Sequence, residues 1–343
     1  MMTAGEFMTA RFKKAIPAAL SLIAFLPALH AKADTLSDTQ FSDRLSLLRA
    51  ADGETGMAAG DQTKGLSLWG QALAQYARQG ESGGVAGYKA GTAGFSVGAD
   101  SRELIPDAGV GIAFSYGRVN VDGSDVNTSG TDIDSYQASL YGSYDLHRGY
   151  YLNGLAAYGW ENSDTVRHNV NGTGGLTAHG SYDANVFSGK IEGGRDLAFN
   201  GAVLTPNLVV HGVTYDPDSF AETGAGGADL RVNGQTRNLL ELGGGLRANW
   251  SFKQADGGWL KPQVYAGYRY AVVDDKGADT ASFAGGGAPF VAAGIPPARN
   301  TINLGGVLRY YTTRNWQFSG GYDFTWRQDY TASTGTLRAL YKF

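Results

Sequence analysis

The sequence predicts an all-β membrane protein, a transmembrane β-barrel, and three observations carry that prediction. About twelve stretches of roughly 13–17 residues alternate apolar and polar side chains, which is the period of a strand with two different faces. Aromatic residues crowd the apolar face and gather near the stretch ends, as they do where a barrel meets the two membrane surfaces. The connections are tight on one side ("DLHRGY", "LAFNGA", "YTTRNW") and long on the other, with "DTVRHNVNGTGGLTAHGS", "DPDSFAETGAGGADLRVNGQ" and "KGADTASFAGGGAPFVAAGIPPARN". A soluble sandwich has shorter strands, about 5–6 residues, and no reason for that asymmetry.

The stretches start near residues 66, 87, 108, 131, 150, 181, 202, 236, 258, 299, 315 and 331. In "SYQASLYGSYDL", Tyr136, Ala138, Leu140, Tyr144 and Leu146 oppose Ser135, Gln137, Ser139, Ser143 and Asp145. In "LKPQVYAGYRY", Leu260, Pro262, Val264, Ala266, Tyr268 and Tyr270 oppose Lys261, Gln263 and Arg269. In "WQFSGGYDFTW", Trp316, Phe318, Tyr322, Phe324 and Trp326 oppose Gln317, Ser319, Asp323 and Thr325. The last stretch, "TGTLRALYKF", puts Leu337, Ala339, Tyr341 and Phe343 on one parity, and Thr336, Arg338 and Lys342 on the other. Leu340 alone breaks the pattern. A terminal strand with an apolar face needs a partner earlier in the chain, so it is expected to close the barrel against Leu66–Ala77. Closure removes both sheet edges, which lipid cannot satisfy.

Composition agrees. The chain has 343 residues, 51 Gly, 19 Tyr, 15 Phe and no Cys, with 17% charged residues and a net charge of −4. That charge argues against a nucleic-acid partner. Without cysteine, stability must come from closure rather than disulfides. No stretch reaches the roughly 18–20 apolar residues of a membrane-crossing helix.

The N-terminus reads as an address. "RFKK" is a basic segment, "AIPAALSLIAFLPAL" a short apolar run, and "HAKA" supplies small residues at Ala31 and Ala33. This is a signal peptide over residues 1–33, read by the Sec export machinery and cut between Ala33 and Asp34. Either Met1 or Met8 can be the start. Residues 34–65 then hold one short helix, about 38–50, with Phe41, Leu45 and Leu48 near helical spacing and Arg44 and Arg49 among them. The barrel domain follows over 66–343.

No motif demands catalysis. "GFSVG" (94–98) matches a nucleophile elbow, but an elbow needs a strand-to-helix turn and this one lies within a strand pattern. His168 and His179 share a long loop with Asp164 and Asp183, where surface histidines are the simpler reading against a protease-like or metal site. "NVDGSDVN" (120–127) offers Asp122, Asp125 and Asn127 to a hard cation without EF-hand spacing, so a polar hairpin is favoured. Neither a catalytic site, a cofactor nor a metal is expected. Arg78, Arg118, Lys190, Arg195, Lys261, Arg269, Arg327 and Arg338 are candidates to line a wet lumen and hold the helix by its carboxylates, or simply to hydrate the interior.

The segments "GLSLWGQALA", "AGTAGFSVGAD", "SYQASLYGSYDL", "LTPNLVVHGVTYDPDSFAETGAGGADLRV" and "RALYKF" together resemble the autotransporter β-domain of type V secretion, from about Phe41 to Phe343. The resemblance implies a twelve-stranded antiparallel barrel in the Gram-negative outer membrane. It also implies a pore helix at "FSDRLSLLRAAD", carrying Phe41, Arg44, Leu45, Leu48 and Arg49. Leu337, Ala339, Tyr341 and Phe343 would then be the signal gripped by the outer-membrane assembly machinery. Its implied partners are that machinery and outer-membrane lipid, with a monomeric barrel and no nucleic acid. The function expected is protein secretion as a translocator, not as an enzyme. The departure is the passenger: the 32 residues from Asp34 to Gly65 are fewer than the roughly 50 at which domains begin. Either the passenger has been lost, or it lies outside this sequence, or the barrel is itself the product. The alternatives are a stand-alone barrel acting through its surface loops, adhesin-like, and a leaky pore.

Overall fold

The computed structural model describes residues 44, 45, 48, 65–124, 129–168, 170, 175–275, 277–295 and 298–343. The signal peptide, its cleavage point at Ala33 and Asp34, and Phe41 and Arg49 of the expected helix lie outside these residues. So do Asp125 and Asn127.

Twelve strands of at least twelve residues form the wall: β1 (Leu66–Gln79), β2 (Tyr88–Ile105), β3 (Ala108–Gly123), β4 (Gly130–Asp145), β5 (Tyr150–Arg167), β6 (Ala178–Arg195), β7 (Ala202–Pro217), β8 (Arg237–Trp250), β9 (Trp259–Asp274), β10 (Asn300–Tyr311), β11 (Trp316–Arg327) and β12 (Tyr330–Lys342). Each start lies within three residues of its expected position, because Gly, Asp, Asn and Pro end the alternation where the chain must turn. Neighbouring strands pair antiparallel in sequence order. The ring closes between β1 and β12, from Ser67↔Lys342 to Gln79↔Tyr330. No backbone ladder is left open at that seam, as a bilayer requires.

The expected faces hold through the middle of the wall. Leu140 is 60% exposed on the outside, whereas Ser139 is 6% exposed and points in. Leu337 and Phe343 also face outward, while Leu340 turns inward at 1% exposure, which explains the broken pattern. On the outer face, Phe95, Tyr116, Tyr136, Trp160, Tyr158 and Phe187 form a continuous aromatic row with ring centroids 4.9–6.3 Å apart. A second aromatic level lies toward the other end, with Tyr144, Trp316, Phe318, Tyr341 and Phe343. On β4 the two levels are Tyr136 and Tyr144, nine residues inclusive, which matches the roughly 9–11 residues of a membrane-crossing strand.

The connection lengths follow the expected asymmetry only in part. Pro106–Asp107, residues 146–149, 196–201, 251–258 and 312–315 turn at the end that also holds both termini of the wall. The three long connections, 168–177, 218–236 and 275–299, lie opposite, together with 80–87 and 124–129, which are no longer than the largest short-side turns, and with Gln328 and Asp329, which alone join β11 and β12.

Two of the long connections are folded rather than loose. Phe220–Ala221, Leu230–Asn233, Ala278–Phe283 and Phe290–Ala293 make a separate four-stranded sheet from the β7–β8 and β9–β10 connections. A mutual pair of backbone hydrogen bonds of 2.8 Å between His179 and Thr223 ties its edge to β6. Its Leu230, Val232, Ala281, Phe283 and Ala292 join one buried apolar cluster with inward residues of β1, β2, β3, β4, β6, β7, β8, β9 and β12. The sheet therefore sits across the long-loop mouth of the barrel. Beyond the aromatic row the wall exchanges its faces to meet it. On β3, Val119 and Val121 point in while Arg118, Asn120 and Asp122 point out.

Candidate functional site

The lumen is the candidate site, and it is layered. At the short-turn end, β1, β2 and β4 aim Trp69, Asp100 and Tyr141 at one place. Trp69 Nε1 donates to Tyr141 Oη at 2.8 Å, and Tyr141 Oη donates to Asp100 Oδ2 at 2.8 Å. Glycines directly opposite let the rings lie against bare backbone: a Cβ at Gly98 would fall 2.5 Å from the Trp69 ring, and one at Gly111 2.5 Å from the Tyr141 ring. Asp100 receives Arg44, whose Nε donates to Oδ2 at 2.6 Å and whose Nη2 pairs with Oδ1. Arg44, Leu45 and Leu48 are helical. Leu45 and Leu48 pack with Trp69, Ala113, Tyr141, Leu155 and Leu340. A buried, two-pronged Arg–carboxylate contact fixes orientation as well as position.

Above this level the wall is polar. Glu192 on β6 accepts from Arg247 on β8 at 2.8 and 2.6 Å, from Tyr151 at 3.0 Å and from Asn153 at 3.2 Å. Arg338 donates to Gln71 at 2.8 Å and lies over the Trp69 ring, and Lys261 lies over the Tyr311 ring. Higher, Glu241 is approached by Arg269 at 3.3 Å, Arg327 at 3.8 Å, His211 at 3.5 Å and Thr301 at 3.5 Å. Ion pairs are tolerated this far inside because the carboxylates Glu192 and Glu241 each meet a close cation.

At the long-loop mouth two buried ion pairs join the wall to the cap. Arg167 at the end of β5 binds Glu222, with its Nε 3.0 Å from Oε1, and also donates to the Ala228 carbonyl at 3.0 Å. Glu222 in turn accepts from the Leu230 amide at 2.8 Å. Arg237 at the start of β8 pairs with Asp279 on the cap hairpin. Burial pushes the Asp279 carboxyl above its ordinary range, and the Arg237 guanidinium opposes the rise.

Lys190, Lys261, Arg269, Arg327 and Arg338 point inward as expected. Three others do not. Arg78 and Arg195 lie on the outer face, and Arg118 faces outward and pairs with Asp132 there. Each sits beyond the membrane-level apolar belt, where an outward charge meets water. The contact to the helix is also reversed. The wall supplies the carboxylate, Asp100, and the segment supplies the cation, Arg44. Sequence reading missed Asp100, Glu192, Glu241, His211 and the cap pairs, because single inward polar residues look alike until strand register places them opposite one another. Ser96 of "GFSVG" lies inside β2 and donates to Ser115 at 2.9 Å, so it occupies no elbow. His168 contacts Thr177 at 3.2 Å, His179 belongs to β6, and Asp122 is the penultimate residue of β3, on its outer face.

A closed antiparallel barrel with two aromatic levels, an apolar outer belt and a polar lumen that holds a helical segment defines a class: outer-membrane translocator barrels. The chain belongs to the autotransporter family, whose β-domain model matches residues 68–323. Outer membrane protein B of Rickettsia prowazekii (strain Madrid E) is 27% identical over 334 residues, covering 90% of this chain and 20% of the relative. The chain thus spans about a fifth of the length of curated relatives such as this one. Among solved structures, the translocator domain of autotransporter NalP from Neisseria meningitidis superposes with a TM-score of 0.73 at 19% identity, covering 94% of this chain and 99% of that one. The transport unit of AIDA-I from Escherichia coli gives 0.63 at 15% identity, covering 89% and 98%. The chain carries an autotransporter β-domain of the outer membrane.

Proposed function

We propose that the barrel carries the chain preceding the helix across the outer membrane and then keeps that helix, about residues 38–50, in its lower lumen as a plug. The observation that carries this reading is the seat of Arg44, Leu45 and Leu48. Three residues near helical spacing meet a carboxylate and an apolar cluster built from five strands of the wall. The wall acts as conduit and holder rather than as an enzyme. Insertion is assisted by the assembly machinery after Sec export. The closed β1–β12 seam supports a monomer, since no ladder there remains to be shared.

The seat is testable because the chain has no cysteine. A Cβ placed at Gly109 would lie 3.0 Å from the Leu48 Cβ, so an outward movement of about 0.5–0.8 Å reaches disulfide geometry. Leu48→Cys with Gly109→Cys should therefore cross-link on mild oxidation of membranes, seen as a reduction-sensitive gel shift. Leu48→Cys with Thr205→Cys, on the far wall, should not. Equal behaviour of the two pairs would remove the seat.

The N-terminal pattern gives a second expectation. Edman sequencing of protein extracted from outer membranes should begin at Asp34. An intact Met1 or Met8 there would show that the apolar segment is not a cleaved signal.

A further inference from the structure

We propose that the long-loop mouth carries its own gate: the four-stranded cap closes the outer end of the lumen independently of the helix seat at the other end. The proposal extends the plug reading above, and its tests separate the two. Three observations support it.

The first is the cap's underside. A sheet exposed to water on both faces would be polar on both. Here Leu230 and Ala292 are fully buried, and Val232 and Ala281 nearly so, all against the wall. The second is the wall itself. A water-filled mouth calls for polar inward residues. Instead the inward positions beyond the aromatic row include Val119, Val121, Ile133, Val213, Tyr215 and Leu239, and the polar ones among them, such as Glu161, Ser163 and Thr165 on β5, are buried rather than wet. The outward ones beside them are polar, among them Asn120, Asp132 and Asp216. This is the face order of a soluble sheet around its own core, so the wall above the membrane is built to be filled. The third is the pair of fasteners. Arg167–Glu222 comes from β5 and the first cap connection, and Arg237–Asp279 from β8 and the second. Buried ion pairs contribute little net stability but impose a single alignment, and losing one partner leaves a buried charge. Two of them, on different strands, fix the cap in one orientation over the opening.

The lumen is therefore closed twice, by different parts of the chain. Removal of the helix segment alone does not open a through-path. The cap has to lift as a unit, since its four strands share one core, and it stays attached through both connections.

Planar-bilayer conductance of the purified full-length protein tests this, with heat-modifiability on gels confirming that every variant is folded. Deletion of 34–60 should leave conductance near the parent level. The same deletion combined with Glu222→Ala and Asp279→Ala should raise time-averaged conductance by roughly tenfold or more, through open–closed flicker. A full steady channel from the deletion alone would overturn the gate. So would a silent triple variant that is folded. A covalent lock provides an arm independent of cap stability. His179→Cys with Thr223→Cys, in the bridge that already exchanges two backbone hydrogen bonds, should silence the triple variant when oxidised and restore flicker when reduced. Equal conductance in both redox states would also overturn the gate. The Leu48–Gly109 cross-link reports the helix seat in the parent protein and does not depend on the cap, so a failed seat and a failed gate give different records.

Discussion

Leu140→Arg should cut the yield of folded barrel sharply, while Gln75→Arg should be close to neutral. Leu140 lies between the two aromatic levels on β4, 60% exposed on the outer face, where the surrounding medium is hydrocarbon. A guanidinium there costs roughly 2–4 kcal/mol near the membrane midplane, less toward the interfaces. Alternation alone suggests Ser139→Arg as the inward control. The structure argues against it: Ser139 is buried beside Gln137 and opposite Ala113 and Ala157, at the level of the packed lower lumen. A long side chain at that position overpacks, and its cost would mimic misplacement in lipid. Gln75 is inward too, yet half-buried on the central cavity, where it donates to Thr334 at 3.0 Å. Equilibrium unfolding in urea from lipid vesicles measures both variants against the parent. Similar losses for Leu140→Arg and Gln75→Arg would invert the faces assigned here.

Deletion of Phe343 gives the second large effect, and it is expected in rate rather than in equilibrium. The residue is 66% exposed toward lipid, stacks edge-on with Tyr341 at 4.9 Å, and its amide donates to the Leu66 carbonyl at 3.0 Å. Complete burial of a large side chain is worth roughly 1.5–3 kcal/mol, so a partly exposed one contributes less. The β1–β12 ladder ends one residue earlier, at Ser67↔Lys342, and remains intact without it. A closed ring of twelve paired strands does not unfold for that loss. In cells, by contrast, the terminal aromatic belongs to the segment the assembly machinery is proposed to engage. The deletion should therefore accumulate in the periplasm and be degraded, and still refold into detergent as a compact, heat-modifiable barrel. Normal insertion in cells would remove the recognition role. Failure to refold in detergent would make the role structural.

The wall was legible in the sequence because its code is local. Side chains alternate at period two, lipid demands an apolar outer face, and each turn is written in Gly, Asp, Asn and Pro within a few residues of its position. From these follow the twelve strands, their faces, the β1–β12 closure and the two aromatic levels. Even Leu340 announced itself as an exception, although not its reason. Tertiary structure alone decided which inward groups meet. Arg44 and Asp100 are 56 residues apart, Glu192 and Arg247 55, and Arg167 and Glu222 55. Such pairs depend on strand register and barrel closure together, and no window of sequence contains both partners. The cap was hidden for a related reason. Its strands are only two to six residues long and set in Gly- and Ala-rich connections, too short for alternation to stand out. The exchange of faces on β3, β4 and β6 was present in the sequence as a change of parity. It acquired a cause only once the sheet those faces cover was seen lying in the mouth of the barrel, where burial against Leu230, Val232 and Ala281 makes apolar inward residues favourable.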